Sequence, residues 1–346
     1  MKTAVFAHDL FLQHDPGYGH VESPERLEVI YSELERRVHR EQLLFPTFEA
    51  ATPAILELNH AAGHVRKVAA TADKIVASLD PDTFTSPRSY EAACLAAGAV
   101  VEGMRLLAAG EIENGFALVR PPGHHAEYNA AKGFCLFNNV AVAARYALAD
   151  LGMERILIVD WDLHHGNGTQ HSFYDTDQVL YFSTHQYPYY PGSGALDQTG
   201  IGRGVGYTIN VPLPGGQGDG DFVRIFDEIL CPVARQYRPD CIIVSAGFDI
   251  YHDDPLGGMG VTVEGFAALA AILKDLAAEV CGGRILFALE GGYNLQGLRN
   301  GVLAVLGVLS GSSPLAPEIL PRLRSGEMPF PSLEAVRNIA KHYWIL

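Results

Sequence analysis

Four short segments of the sequence hold residue types that can do chemistry together: Arg120-Pro121-Pro122-Gly123-His124-His125-Ala126-Glu127, Asp160-Trp161-Asp162-Leu163-His164-His165-Gly166-Asn167-Gly168-Thr169, Ala246-Gly247-Phe248-Asp249 and Leu289-Glu290-Gly291-Gly292-Tyr293-Asn294. In an extended segment Asp162 and His164 stand two apart and point to the same side, so a carboxylate oxygen and an imidazole nitrogen reach one point. Asp249 can complete a three-ligand site with a position left open for water. Zinc accepts such nitrogen and oxygen ligands at about 2.0 to 2.2 Å and keeps one position free in catalytic sites. It would lower the pKa of bound water towards about 7 and polarise a carbonyl. A neutral imidazole nearby could take the proton, and His124 and His125 are the candidates. Each piece alone has a plainer reading: a surface histidine pair, an aspartate capping a helix, a tyrosine packing its ring. Their joint occurrence points to a metal site.

Each segment follows a short apolar run that reads as a strand. The expected strands are Thr3–Ala7, Gly115–Val119, Arg155–Val159, Val179–Ser183, Tyr207–Pro212, Cys241–Ser245 and Arg284–Ala288. Most are continuously apolar, as parallel strands covered on both faces must be. Helices are expected from Ser23-Pro24-Glu25 to about Arg37 and at about 59–79, 89–109, 138–151, 220–237, 262–281 and 295–310. The alternation predicts an α/β fold: a single open, mostly parallel sheet with helices on both faces. Length alone would suggest about two domains, yet no linker or repeat divides the chain, so residues 1–346 are expected to form one domain. In such a sheet the ligand lies outside the carboxyl ends of the strands, which is where the four segments fall. The Pro- and Gly-rich stretch from Tyr187 to Gly206 reads as a long functional loop, and the final segment from Gly311 to Leu346 as scattered prolines with a short amphipathic end that packs on the body.

Composition narrows the function classes. With 25 basic against 40 acidic residues the net charge is −15, which disfavours a nucleic-acid partner and suits a cationic substrate. Five cysteines without Cys-x-x-Cys spacing read as reduced thiols in a cytoplasm. Residues 1–30 carry no signal-peptide pattern, and no stretch of about 18 residues is apolar enough to cross a bilayer, so a soluble, intracellular protein with no membrane partner is expected.

Taken together, these motifs closely resemble the histone deacetylase and acetylpolyamine amidohydrolase family, zinc-dependent deacylases with an arginase-like, three-layer fold. The resemblance runs from the His20–Arg26 segment through Gly-Gly-Tyr-Asn at 291–294. It implies Asp162, His164 and Asp249 as zinc ligands, His125 as general base, and His124 as the second histidine on the metal-bound water. It further implies Tyr293 as the group that polarises the scissile carbonyl and stabilises the oxyanion. Asp160 matches the carboxylate behind His124 and, with Asp162, His164, Ser183 and Thr184, a structural potassium site. Phe173, Thr176, Val179 and Tyr207 match a second monovalent-cation site. Gly133, Phe134, Tyr190, Leu256, Gly291 and Gly292 resemble the walls of a narrow acyl-chain tunnel, and Arg26 a residue at its foot.

Where many nuclear members carry aspartate opposite the base, this chain has Asn167, the form of the class II and polyamine-type branch, to which Trp161 and Asp254-Pro255-Leu256-Gly257 also lean. A neutral amide there would orient the His125 imidazole without the stabilisation a carboxylate gives. The function implied is hydrolysis of an acetyl or other short acyl group from an acylated amine, either acetyl-lysine in proteins or an acetylpolyamine. An arginase-like ureohydrolase and a silent acyl-lysine binding module are the alternatives. A dinuclear manganese site would want more carboxylates than the His164 loop has, and retention of every matched residue argues against a silent module. Substrate choice must lie in the mouth segments Leu12–Glu22, Pro81–Tyr90 and Gln186–Gly194, where Asp15, Glu22 and Asp82 either attract a cationic chain or are merely solvated. The oligomeric state, a homo-oligomer included, is left open.

Overall fold

The fold is seen in a computed structural model that describes residues 2–36, 43–325 and 331–346. Its strands are β1 (Thr3–Phe6), β2 (Leu43–Leu44), β3 (Ala77–Asp80), β4 (Thr83–Thr85), β5 (Asn114–Ala117), β6 (Ile156–Asp160), β7 (Val179–Gln186), β8 (Thr208–Leu213), β9 (Cys241–Ala246) and β10 (Ile285–Leu289). The helices are α1 (Glu25–Arg36), α2 (Pro53–Leu56), α3 (Ala62–Ala69), α4 (Ser89–Ala108), α5 (Asn139–Asp150), α6 (Asn167–Phe173), α7 (Asp219–Ile225), α8 (Cys231–Tyr237), α9 (Val263–Cys281), α10 (Leu295–Ser310), α11 (Ile319–Arg324) and α12 (Pro331–Ala340).

Eight strands form one sheet in the order β2-β1-β5-β10-β9-β6-β7-β8, and every pairing in it is parallel. Strands β5, β6, β9 and β10 are buried along their whole length, which is why they read as unbroken apolar runs. Helices α4 and α5 pack together as one layer, while α1, α10, α9 and α7 follow one another in the other. Thr262, Asn138 and Asn294 cap α9, α5 and α10 by accepting backbone N–H groups with their side chains.

All seven expected strands are present. The sequence reading lacks the short helices α2, α6 and α11, and further differences have local reasons. The helix expected over 59–79 is only α3, because the chain turns at Asp73, whose φ is 62°, into the antiparallel hairpin β3–β4. The helix expected over 220–237 widens into a π turn at Phe226–Leu230 before α8, where Pro232 has no N–H to continue an ordinary α ladder. Strand β2 is two residues long, too short for a periodic signal. Arg37, the expected end of the first helix, lies outside the described residues. The carboxyl-terminal end does pack on the body: α12 buries Leu333, Val336 and Ala340, and the Trp344 indole donates to the Gly206 carbonyl at 2.9 Å.

Helix α4 crosses the segment 49–51 so closely that a Cβ on Gly98 would fall on the Glu49 carbonyl oxygen and 2.8 Å from the Ala51 nitrogen. Gly98→Ala is therefore expected to destabilise the fold by about 1–3 kcal/mol through overpacking, despite alanine's better helix propensity. A chemical denaturation midpoint equal to or above that of the parent chain would refute this.

Candidate active site

Strands β5, β10, β9 and β6 are consecutive neighbours, so the loops that leave their carboxyl ends converge. Register keeps the ends level: Ala117 pairs with Ala288, Leu289 with Ala246, and Ser245 with Asp160. From these exits Asp162, His164 and Asp249 meet as a buried cluster in which one ligand atom from each lies within 4.8 Å of the others. His164 Nδ1 is 3.2 Å from Asp162 Oδ1 and 3.1 Å from Asp249 Oδ2. The carboxylates are aimed by backbone donors: Leu163 N–H to Asp249 Oδ1 at 2.8 Å and Gly291 N–H to Asp162 Oδ2 at 2.9 Å. A Cβ on Gly291 would fall on the Asp249 carboxylate, so only glycine lets β10's exit pass this close.

The cluster is short of positive charge. Burial opposes protonation of His164, yet Asp162 and Asp249 hold its imidazole up at about 9. Burial and the neighbouring Asp162 push the Asp249 carboxyl up to about 7. Two carboxylate oxygens and an imidazole nitrogen gathered on one buried point are a donor set suited to a divalent cation such as zinc.

His124 and His125 come from the β5 exit, their rings 4.0 Å apart, and their surroundings push them in opposite directions. His124 Nδ1 lies 3.1 Å from Asp160 Oδ2, and although burial opposes the charged form, Asp162 and Asp160 raise this imidazole to about 10. His125 is driven well below its ordinary value by burial and by the other two histidines, so it is neutral. Its Nδ1 faces Asn167 Oδ1 at 2.7 Å, the pairing expected from the sequence. Tyr293 stands across the site, with Arg26 Cζ 5.0 Å from its ring centroid. Burial raises its phenol well above the ordinary value, so it keeps its proton and can donate.

These groups open on a cavity of about 270 Å³ lined by His124, His125, His164 and Tyr293 together with Gly133, Phe134, Tyr190, Leu256 and Gly291. Five of the six expected wall residues thus line it. Gly292 lies behind the wall, its carbonyl accepting from Arg26 Nε at 2.7 Å. Arg26 is wholly buried and also donates to the Glu290 carbonyl at 2.5 Å, which places it beneath Tyr293. Ser183 stands in register with Asp160, and the adjacent Thr184 Oγ1 is buried without a hydrogen-bond partner. Phe173, Thr176, Val179 and Tyr207 gather instead near the amino-terminal ends of β7 and β8.

Among the acidic residues of the mouth segments, Asp82 lines the cavity and Asp15 is exposed. Glu22 corrects the sequence reading: it is neither solvated nor at the mouth, but fully buried, taking Arg26 at 2.9 Å and Arg120 at 2.5 and 2.8 Å. Local sequence assigned no role to Tyr181, whose hydroxyl donates to Asp160 Oδ2 at 2.9 Å, nor to Asp254, whose Oδ2 accepts from the Tyr293 and Asn294 backbone at 2.7 and 3.0 Å. Glu290 was visible in its motif but not its function. Its Oε2 accepts the Gly123 and His124 N–H groups at 2.6 and 3.2 Å, and its Oε1 accepts the Ser245 hydroxyl at 3.0 Å.

The histone deacetylase domain model matches residues 20–309. Histone deacetylase 5 of Arabidopsis thaliana is 40% identical over 99% of this chain, which spans 54% of that relative's length. A probable deacetylase of Archaeoglobus fulgidus is 36% identical over 99% of both chains. The crystal structure of the HDA15 HD domain superposes with a TM-score of 0.90 at 39% identity, covering 99% of this chain and 95% of that one.

Glu290 ties the β10 exit to the histidine loop, so Glu290→Leu should strand two backbone donors and a hydroxyl in the interior. The expected loss is at least about 3 kcal/mol, at roughly 1–3 kcal/mol per orphaned group. Glu290→Gln can satisfy the same donors with its carbonyl and turn its amide to the Ser245 oxygen, and should lose far less. Equal denaturation midpoints for the two variants would contradict this role.

Proposed function

The chain belongs to the histone deacetylase family, and we propose that it is a zinc-dependent amidohydrolase that releases acetate or another short acyl group from an acylated primary amine on an aliphatic chain. The observation that carries the proposal is the buried Asp162–His164–Asp249 cluster on the same cavity as His124, His125 and Tyr293. A divalent zinc ion held by those three ligands would supply Lewis acidity and an activated water. The acyl-bearing arm enters between Phe134 and Tyr190, whose rings exclude water from it. Tyr293 donates its phenolic proton in a hydrogen bond to the amide oxygen and stabilises the negative charge that develops there. His125, neutral and backed by Asn167, takes a proton at Nε2 and can return it to the leaving amine. His124, held by Asp160, hydrogen-bonds the attacking oxygen.

The same reading assigns structural potassium to Asp160, Asp162, His164, Ser183 and Thr184, supported by the partnerless Thr184 hydroxyl in the interior, and a second such ion to Phe173, Thr176, Val179 and Tyr207. Asp82 on the cavity lining favours a substrate with a cationic amine, either a lysine-rich protein segment or a polyamine. A cytoplasmic setting is supported by five cysteines that are all buried free thiols, and among the described residues no helix is long and apolar enough to cross a membrane.

Acetate release from acetyl-lysine peptides, acetylputrescine and acetylspermidine tests the reading directly. Binding of these compounds without turnover would identify a silent acyl-binding module instead. Asp249→Ala should lose both bound metal, measured by elemental analysis, and activity, and retention of full metal content would remove Asp249 from the ligand set. Tyr293→Phe should keep metal and fold while kcat falls on the order of 10² or more. An unchanged kcat would leave the tyrosine a packing role only.

A further inference from the structure

Behind Asn167 lies a group that the proposed reaction does not yet use. The Asn167 side-chain nitrogen donates to Glu127 Oε1 at 2.5 Å and to the His125 carbonyl at 3.2 Å. Both amide hydrogens are thereby committed, and only Oδ1 remains to face His125 Nδ1 at 2.7 Å. We propose that Glu127 is a positioning residue that acts through Asn167 to set the tautomer of His125. This inference rests on the amidohydrolase reading for its consequence in turnover, but not for its geometry.

The reasoning turns on donors and acceptors. An ionised carboxylate accepts only, so Glu127 admits one orientation of the amide, nitrogen outward and oxygen toward the imidazole. His125 Nδ1 must then carry the hydrogen, which leaves the lone pair on Nε2. With the amide reversed, its NH₂ would face Nδ1, the hydrogen would move to Nε2, and that atom would have no lone pair for a proton. The His125 carbonyl favours the same orientation, through a single longer bond.

Glu127 is itself anchored. His171 Nδ1 lies 2.9 Å from each of its carboxylate oxygens, its backbone nitrogen donates to the Ala130 carbonyl at 2.9 Å, and its carbonyl accepts from His60 Nδ1 at 2.9 Å. That donation is fixed because His60 Nε2 accepts the Asn138 N–H at 2.9 Å. Burial works against ionisation of Glu127, but hydrogen bonds from His171 and Asn167, with Lys132 nearby, hold its carboxyl below the ordinary value.

Asn167 and Glu127 are therefore a matched pair. The negative charge that a neutral amide lacks is supplied one residue further out. An aspartate at position 167 would set two carboxylates against each other at hydrogen-bond distance. Combining Asn167→Asp with Glu127→Gln puts a donor back between the two side chains, because the carboxylate at position 167 could then accept from both His125 and the amide at position 127.

The test uses the purified, metal-loaded protein and four variants: Glu127→Leu, Glu127→Gln, Asn167→Asp and the double Glu127→Gln/Asn167→Asp. Ring ¹⁵N chemical shifts report the His125 tautomer, the signal being assigned by its absence from His125→Phe. Glu127→Leu should shift the ring towards the Nε2–H form and lower kcat about tenfold with KM and metal content retained. Asn167→Asp alone should lose more activity than Glu127→Gln alone, and the double variant should recover about tenfold over Asn167→Asp. Additive effects in this cycle, or an unmoved tautomer in Glu127→Leu, would overturn the pairing. Absence of amidase activity in the parent chain would sink the functional reading instead, while the tautomer measurement would still judge Glu127.

Discussion

Buried negative charge is the constraint on which this structure turns. Glu22, Asp160, Asp162, Asp249 and Glu290 are all sealed from solvent at the carboxyl ends of the central strands, where an uncompensated carboxylate is strongly unfavourable. The fold answers each one separately. Arg26 and Arg120 neutralise Glu22. His124 and Tyr181 satisfy one oxygen of Asp160. Glu290 is held by two backbone N–H groups and Ser245. Asp162 and Asp249 converge on the His164 imidazole, with His124 Nε2 3.7 Å from Asp162 Oδ1, and the point where these groups meet is the natural place for a cation.

The same compensation makes the cavity rigid. Arg26, drawn inward by Glu22, is free to direct its remaining donors to the Glu290 and Gly292 carbonyls, and so fixes the turn that carries Tyr293. Asp254 fixes the other side of that turn through the Tyr293 and Asn294 N–H groups. A phenol whose position is set from both sides loses little entropy when it donates to a substrate, which is how preorganised donors favour a transition state.

What the sequence revealed follows from whether a signal is local. The central strands are legible because burial on both faces demands unbroken apolar runs, and the expected metal ligands because they fall at the ends of those runs. Asp162 and His164 share a side through spacing alone. Tyr181, Glu127 and Glu290 were not legible as partners, because each contact depends on register between distant segments. Tyr181, on β7, reaches Asp160 only because β6 and β7 pair in parallel with Asp160 opposite Ser183. Glu22 misled for a related reason: a carboxylate in a Gly- and Pro-rich loop looks solvated until the arginines that bury it are placed. The hairpin β3–β4 and the π turn failed to show because both replace a locally plausible helix.

The two adjacent histidines show how far environment, rather than residue type, decides a role. His124 and His125 share a loop and a cavity, and their rings nearly touch. One is backed by the carboxylate of Asp160 and drawn towards the charged state; the other is backed by an amide and kept neutral. Two like groups whose proton affinities are driven apart can divide the work of holding and moving a proton, as separated pairs of titratable groups do elsewhere. Exchanging the backing groups would exchange those tendencies, since the imidazoles themselves are the same. The division between them is thus written into Asp160 and Asn167, residues that never reach the cavity surface, and the chemistry of the cavity depends on a layer of side chains that a substrate does not touch.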